Sequence, residues 1–341
     1  MDLSLRRLTP RLNLSLPRDP RWLQIGFLSL FLAFGLAARD FPLWHAPLIW
    51  ASALGTQWVC LRVFKVREAA RAQRGSAEAS LAADLAIRNP SLRSREPWAL
   101  GQSFWLSPVI TCFGLTLLLR TDTWWVPPLA ACIAIAGKFV LRVGDRHLFN
   151  PANLGVCAAM LLSQHAWSSP TQWGEGAATM LWFTALGLMV VHRSFRADTS
   201  LAFLASWSLL KLWRVWHLGQ RAAVFEHQMA SASLLLFTFF MISDPKTTPR
   251  TRMGRVVFAA CVALIAFVFT HTLWMKSALL WALFVCAPLV PLIDHITAHI
   301  TARFTARIPA RIAARLTARG AADPQLHAVP TFSQHAATSG N

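Results

Sequence analysis

The segment FFMISDPKTTPR, residues 239–250, ends a long apolar stretch on an aspartate, two prolines, a lysine and two threonines. A helix buried in lipid can stop on almost any polar residue. A turn this compact and this rich in chemistry is therefore a candidate site as well as a boundary. Working outward, the chain around it is too apolar for a soluble protein: of 341 residues 55% are hydrophobic and only 14% charged, against about a quarter charged in ordinary globular chains. Mean hydropathy is +0.43. The composition reads as a polytopic, all-α membrane protein.

Apolar runs near the ~20 residues needed to cross ~30 Å of hydrocarbon fall at 22–38, 43–61, 98–119, 123–141, 151–169, 176–192, 199–218, 228–243, 256–275 and 277–293. About ten transmembrane helices are predicted. Two of these runs are interrupted, 98–119 by Ser107-Pro108 and 199–218 by Lys211 and Arg214, so a broken or re-entrant helix is expected there. Lys and Arg concentrate in the arm 1–21, the loop 62–97, and the connections after 141, 192 and 245. Because basic residues stay on the cytoplasmic side, both termini are expected in the cytoplasm of a multi-pass inner-membrane protein. FFMISDPKTTPR then lies at the cytoplasmic mouth.

The net charge of +18 follows this membrane pattern and points to anionic lipid, not nucleic acid, as partner. Residues 296–319 continue a repeat that begins with HITAHITARFTAR, basic or titratable residues recurring every four positions beside Ile, Phe or Leu. They read as a basic amphipathic helix kinked at Pro309, either an interfacial anchor or a low-complexity segment, and 320–341 as a disordered tail. The domains are thus the arm 1–21, a transmembrane domain 22–295, the repeat helix and the tail.

Six cysteines stand singly in apolar runs, without metal-ligand spacing, and read as core or lipid-facing residues. No paired-carboxylate, Ser-His-Asp or P-loop pattern supports hydrolysis or ATP-driven transport. Polar clusters are sharper. In GKFVLRVGDRHLFNPANLGV, 137–156, Lys138 and Arg142 are four apart, as on one helical face, and Asn150-Pro151-Ala152-Asn153 opens the next span. Asparagine before proline caps a helix start. Beside Lys138, Arg142 and Arg146 that start suits a phosphate or anionic headgroup, or it is a plain capped boundary with snorkelling cations. In the opening segment, Ser243 and Asp244 cap a turn, Lys246 is a nearby cation, and Thr247 and Thr248 offer hydroxyls. Both clusters fall on one side of the predicted topology, so they can converge.

HLFNPANLGV followed about 90 residues later by FFMISDPKTTP and a Gly-Arg pair resembles the NqrB/RnfD family of membrane subunits of sodium-pumping quinone reductases and Rnf electron-transport complexes. It is most similar to the short stand-alone relatives beside biosynthetic clusters, such as the enediyne-associated membrane proteins. The resemblance covers roughly 98–295. It implies a ten-helix fold of two inverted five-helix repeats and FMN-linked electron transfer across or within the membrane, with ion transport and partner redox subunits. In electron-carrying members FMN is linked through phosphate to the threonine of a D-x-x-S-G-A-T motif on the outer side. The corresponding WGEGAATML offers Thr179, with Trp173 in place of the aspartate and Gly176 in place of the serine. Thr179 is thus the implied attachment point, loaded by a flavin transferase, or else the start of a helix of small residues. Candidate cofactor-binding residues are Thr179, Lys138, Arg142, Asn150, Asn153, Asp244, Lys246, Thr247 and Thr248. The alternatives are a non-redox small-solute channel on the same scaffold, or a membrane scaffold of a biosynthetic complex.

Overall fold

The computed structural model describes residues 20–37, 44–74, 103–144, 146–168, 184–185, 187–189 and 196–306. The arm before residue 20, the loop between 74 and 103, Asp145, the stretch containing Thr179, and the repeat and tail beyond 306 lie outside these residues. Among the described residues the chain is helical apart from four short strands. The helices are α1 (Pro20–Ala37), α2 (His45–Arg74), α3 (Ser103–Leu118), α4 (Val126–Val140), α5 (Pro151–Leu162), α6 (Ala197–His217), α7 (Ala222–Met229), α8 (Ala232–Leu236), α9 (Arg252–His271), α10 (Ala278–Cys286) and α11 (Val290–Ala306). A π-helical turn (Phe237–Met241) follows α8 directly. The strands are β1 (Leu119–Thr121), β2 (Arg142–Val143), β3 (Arg146–His147) and β4 (Ala166–Ser168).

Every predicted apolar run carries helix, and of 176–192 only 184–185 and 187–189, all helical, are among the described residues. Two helices, Arg252–His271 and Ala278–Ile300, are long and apolar enough to cross a membrane, and the bent pair Ala222–Met229 with Ser233–Met241 makes a third. Four further apolar helices are shorter, between 10 and 17 residues. This is a helical membrane protein.

The expected interruptions fall elsewhere. α3 continues through Pro108, which sits in its second turn and removes only one hydrogen bond, to a first-turn carbonyl. α6 continues through Lys211 because the ammonium is satisfied across the helix interface: its Nζ lies 3.0 Å from His271 Nε2 and 4.6 Å from the centroid of the Trp207 ring. The break instead separates α7 from α8, at 54°, and the π-helical turn follows it. That turn frees carbonyls, and side chains take them up. Ser200 Oγ donates to Thr238 O at 2.6 Å, Ser243 Oγ to Phe239 O at 2.5 Å, and Asn150 Nδ2 to Met241 O at 3.3 Å.

Small residues set the packing of the first helices. α1 packs on α3, α2 on α3 and α4, and α4 on α5. A Cβ on Gly155 would stand 2.7 Å from Ala130 O and 2.9 Å from Ala134 Cβ, and one on Gly114 2.7 Å from Ala152 Cβ. The backbones approach as small-residue helix interfaces in lipid do. Further along, α6 packs on α9, α9 on α10, and α10 on α5. Asp198 and Arg255 pair at the starts of α6 and α9, and Lys211 meets His271 near their ends, so these two helices run parallel.

Connections gather at two ends. At one, β1 pairs with β4, His45 Nε2 lies 3.1 Å from Thr121 O, and Asp122 pairs with His165 at 3.0 Å. At the other lie the β2–β3 hairpin, turned at Gly144 with φ 64°, and residues 244–251, Arg196 and Asp294. Residues from His295 onward form a separate unit, in which the rings of His295 and His299 meet at 4.4 Å between centroids.

Gly155→Val is expected to destabilise the protein by about 1–3 kcal/mol through overpacking, read as a lower apparent melting temperature in detergent. Gly26→Ala, where nothing lies within 4 Å of the added carbon, leaves it unchanged or slightly raised. Equal behaviour of the two variants would overturn the close-packing account.

Candidate functional site

A cavity of about 460 Å³ opens between α1, α3, the start of α5, and the π-helical turn with the segment after it. Asn150, Pro151 and Ala152 line it from one motif, and Ser243, Asp244, Pro245 and Lys246 from the other. The two motifs, far apart in sequence, face one space.

Each wall has a local cause. Asn150 precedes α5, and its Oδ1 accepts from Asn153 N at 3.2 Å, satisfying a free amide of the first turn. Pro151 occupies the first helical position, where its missing N–H is no loss. Across the cavity, Asp244 organises the turn through one carbonyl and one carboxylate. Its O accepts from Thr247 N at 3.1 Å, Thr248 N at 3.2 Å and Thr248 Oγ1 at 3.0 Å, while its Oδ1 accepts from Lys246 N at 2.9 Å.

Guanidinium groups hold this turn from outside. Arg146, presented by the β2–β3 hairpin, donates from Nε to Lys246 O at 3.1 Å, from Nη2 to Pro245 O at 2.7 Å, and also to Thr248 O. Its Nη1 lies 3.6 Å from Asp294 Oδ2. Arg196 reaches Pro249 O at 3.2 Å and Pro245 O at 3.3 Å. Behind them Asp198 accepts from Arg255 Nε at 2.8 Å, and Asp294 Oδ1 from Arg250 N at 2.6 Å. Planar, forked donors can serve several carbonyls at once, which a lysine cannot do.

Of the candidate residues, Asn150, Asp244 and Lys246 line the cavity. Lys138 stands behind the wall, its Nζ donating to Ser107 O at 3.2 Å and Oγ at 3.1 Å. Arg142 does not share its helical face, because α4 ends at Val140 and Arg142 opens β2. Asn153, Thr247 and Thr248 turn to the fold itself: Asn153 Nδ2 donates to Leu280 O at 3.2 Å, tying α5 to α10, and both threonine hydroxyls donate to Asp244 O. Thr179 lies outside the described residues. Sequence reasoning did not pick Arg21, Gln24, Ser107 and His147 as site residues, yet they line the cavity. An (i, i+3) polar pair at the start of the first apolar run was the available signal for α1.

Electrostatically the turn is tied to its cations. Burial alone would raise the pKa of Asp244, but the neighbouring His147 imidazole, with the Lys246 amide and charge, brings it below its ordinary 3.8. For Asp198 burial is likewise outweighed by Arg255, again giving a lowered value. A depressed carboxylate stabilises the fold above its ordinary pKa and loses that contribution as pH falls through the depressed value. Thermal stability is therefore expected to be flat from pH 8 to about 5 and to fall below about 4, with a shallower acid limb in Asp244→Asn. An acid limb identical in the variant would remove Asp244 from the account. For the clamp, Arg146→Lys is expected to speed amide exchange at 246–248 by roughly tenfold or more, the loss of a charge-assisted hydrogen bond; unchanged protection there would show that the turn stands without its fork.

Residues 166–303 match the family described as NQR2, RnfD, RnfE. Two curated relatives each carry the name of a subunit of the ion-translocating oxidoreductase complex. That of Tolumonas auensis is 36% identical over 69 residues, 20% of this chain and 20% of the relative. That of Halorhodospira halophila is 32% identical over 131 residues, 37% of this chain and 35% of the relative. The matched segments thus span about a fifth and a third of those relatives' length. The part of the chain similar to the NQR2, RnfD, RnfE family, residues 166–303, contains the SDPKTTP turn, both Arg196 and Arg255, and Asp294.

Proposed function

We propose that this protein is the membrane subunit of an ion-translocating oxidoreductase of the RnfD/NqrB type, moving electrons within or across the inner membrane with the help of FMN. The observation that carries the reading is the meeting of HLFNPANLGV and FFMISDPKTTP around one cavity, in a chain whose relatives bear the name of such a subunit. In this reading the predicted apolar runs each cross the bilayer, in two five-span halves. The end of the molecule carrying the hairpin and the SDPKTTP turn faces the cytoplasm, since Arg142, Arg146, Arg196, Lys246, Arg250, Arg252 and Arg255 lie there. Both termini are then cytoplasmic, and the basic repeat lies on anionic lipid.

The residues at the cavity suit an anionic or carbonyl-bearing redox group. Arg21, Lys246 and the amide of Asn150 are polar donors at its lining, and Phe239 and Phe240 supply aromatic surface. One- and two-electron chemistry would come from the flavin. The chain's own part is to hold it: Thr179 provides the hydroxyl for a phosphoester made by a flavin transferase, and the cavity orients and charge-balances the group that exchanges electrons with it. Partner subunits of the complex supply donor and acceptor.

The test is in-gel flavin fluorescence of the denatured protein expressed with a flavin transferase, beside Thr179→Ala. A fluorescent band that disappears in the variant is the expected result. A dark band from a colourless protein overturns the redox reading and leaves a small-solute channel or a scaffold on the same fold.

A further inference from the structure

We infer that the cavity is a binding site for a single-chain amphiphile with an anionic head, the head at the SDPKTTP turn and the chain lying along α3. The proposed orientation decides only which leaflet supplies it, the cytoplasmic one; the inference does not depend on flavin.

Three observations carry it. The first is the order of the lining. Along α3 the cavity meets Ser107, Ile110 and Thr111, then Gly114 and Leu118, a path of about 16 Å at 1.5 Å per residue; the Thr111 hydroxyl is taken up by Ser107 O at 3.0 Å. Along α1 it meets Arg21 and Gln24, then Leu28. On both helices the polar lining comes from the earlier turns and the apolar lining from the later ones. A small polar solute would find no partners over most of that length, and a purely apolar molecule would leave the polar end empty. An amphiphile matches both.

The second is the sign of the polar end. The cations Arg21 and Lys246 line it, with the imidazole of His147, against a single acid, Asp244. That carboxylate is held through its Oδ1, which accepts from Lys246 N at 2.9 Å, and His147 Nε2 lies 3.6 Å from its Oδ2. Ser107 adds a hydroxyl polarised by Lys138, whose Nζ donates to its Oγ at 3.1 Å. Cations and a polarised hydroxyl around one engaged carboxylate select an anionic oxygen.

The third is bore. Gly114 lets α3 approach α5 closely beside the cavity, an added carbon standing 2.7 Å from Ala152 Cβ. The space of about 460 Å³ takes a head and one chain, not the two chains of an ordinary membrane lipid. The shared chemistry is an anionic oxygen head, whether it belongs to a lipid-derived amphiphile or to free phosphate.

The purified full-length protein in nanodiscs of zwitterionic lipid is titrated, by native mass spectrometry and by calorimetry, with dodecyl phosphate, butyl phosphate, inorganic phosphate and dodecyltrimethylammonium. Saturable 1:1 binding of dodecyl phosphate is expected, butyl phosphate binding weakly and the other two not at all. Lys246→Gln, at an exposed position, is expected to weaken dodecyl phosphate by roughly tenfold, one charge-assisted contact. Inorganic phosphate binding as tightly as dodecyl phosphate overturns the inference in favour of a head-only site. Equal binding of the cationic chain overturns it in favour of an apolar slot without charge selection, and displacement by FMN at equal affinity in favour of a flavin cavity. The titrations are run on the wild-type protein and in the Thr179→Ala background, so loss of the flavin band and loss of amphiphile binding are read separately.

Discussion

The architecture of the mouth depends on one guanidinium. Arg146 spreads its fork over the carbonyls of Pro245, Lys246 and Thr248 and turns its remaining nitrogen to Asp294. Backbone carbonyls in a tight turn point outward and have no helical partner. Without a donor from elsewhere, a turn with two prolines would leave several of them unpaired, and each buried unpaired carbonyl costs free energy. The hairpin that carries Arg146 is short because its task is local: two residues on each side, turned at Gly144, are enough to aim one side chain.

From that clamp the rest follows outward. A fixed turn fixes Asp244, whose carbonyl gathers two amides and two hydroxyls. The π-helical turn before it would be poorly bonded alone. It is retained because Asn150, Ser200 and Ser243, on three different segments, take up carbonyls that the wider turn releases. The same asparagine caps α5 and anchors the turn opposite, so the helix start and the π-helical turn are positioned by one side chain. Close glycine contacts among α3, α4 and α5 give the rigidity that lets a single amide fix that distance.

Much of this was legible in the sequence, and the failures have physical reasons. The apolar runs and the Asn-Pro helix start were readable because hydrophobicity and capping act locally. The meeting of the two motifs was readable because alternating basic connections put them on one side. The roles of individual polar residues were not. Thr247 and Thr248 offered hydroxyls to any ligand, yet both donate to Asp244 O, a competition that only the folded turn reveals. Lys138 and Arg142 have helical spacing, but the helix ends between them. Lys211 looked like an interruption because its partner, His271, lies 60 residues away. Arg146, one of three basic residues in its cluster, is distinguished by nothing except where the hairpin aims it.

The distance along the chain between the clamp and its turn has a consequence for biogenesis. Arg146 holds carbonyls about a hundred residues downstream, and Asn150 reaches Met241, 91 residues on. During synthesis the first helices can pack through their small residues, but the contacts of Arg146 and Asn150 must wait for the second half of the chain. Long-range closures of this kind form late and slowly. A truncated or stalled chain therefore lacks the carbonyls that Arg146 engages, while the completed chain occupies its guanidinium.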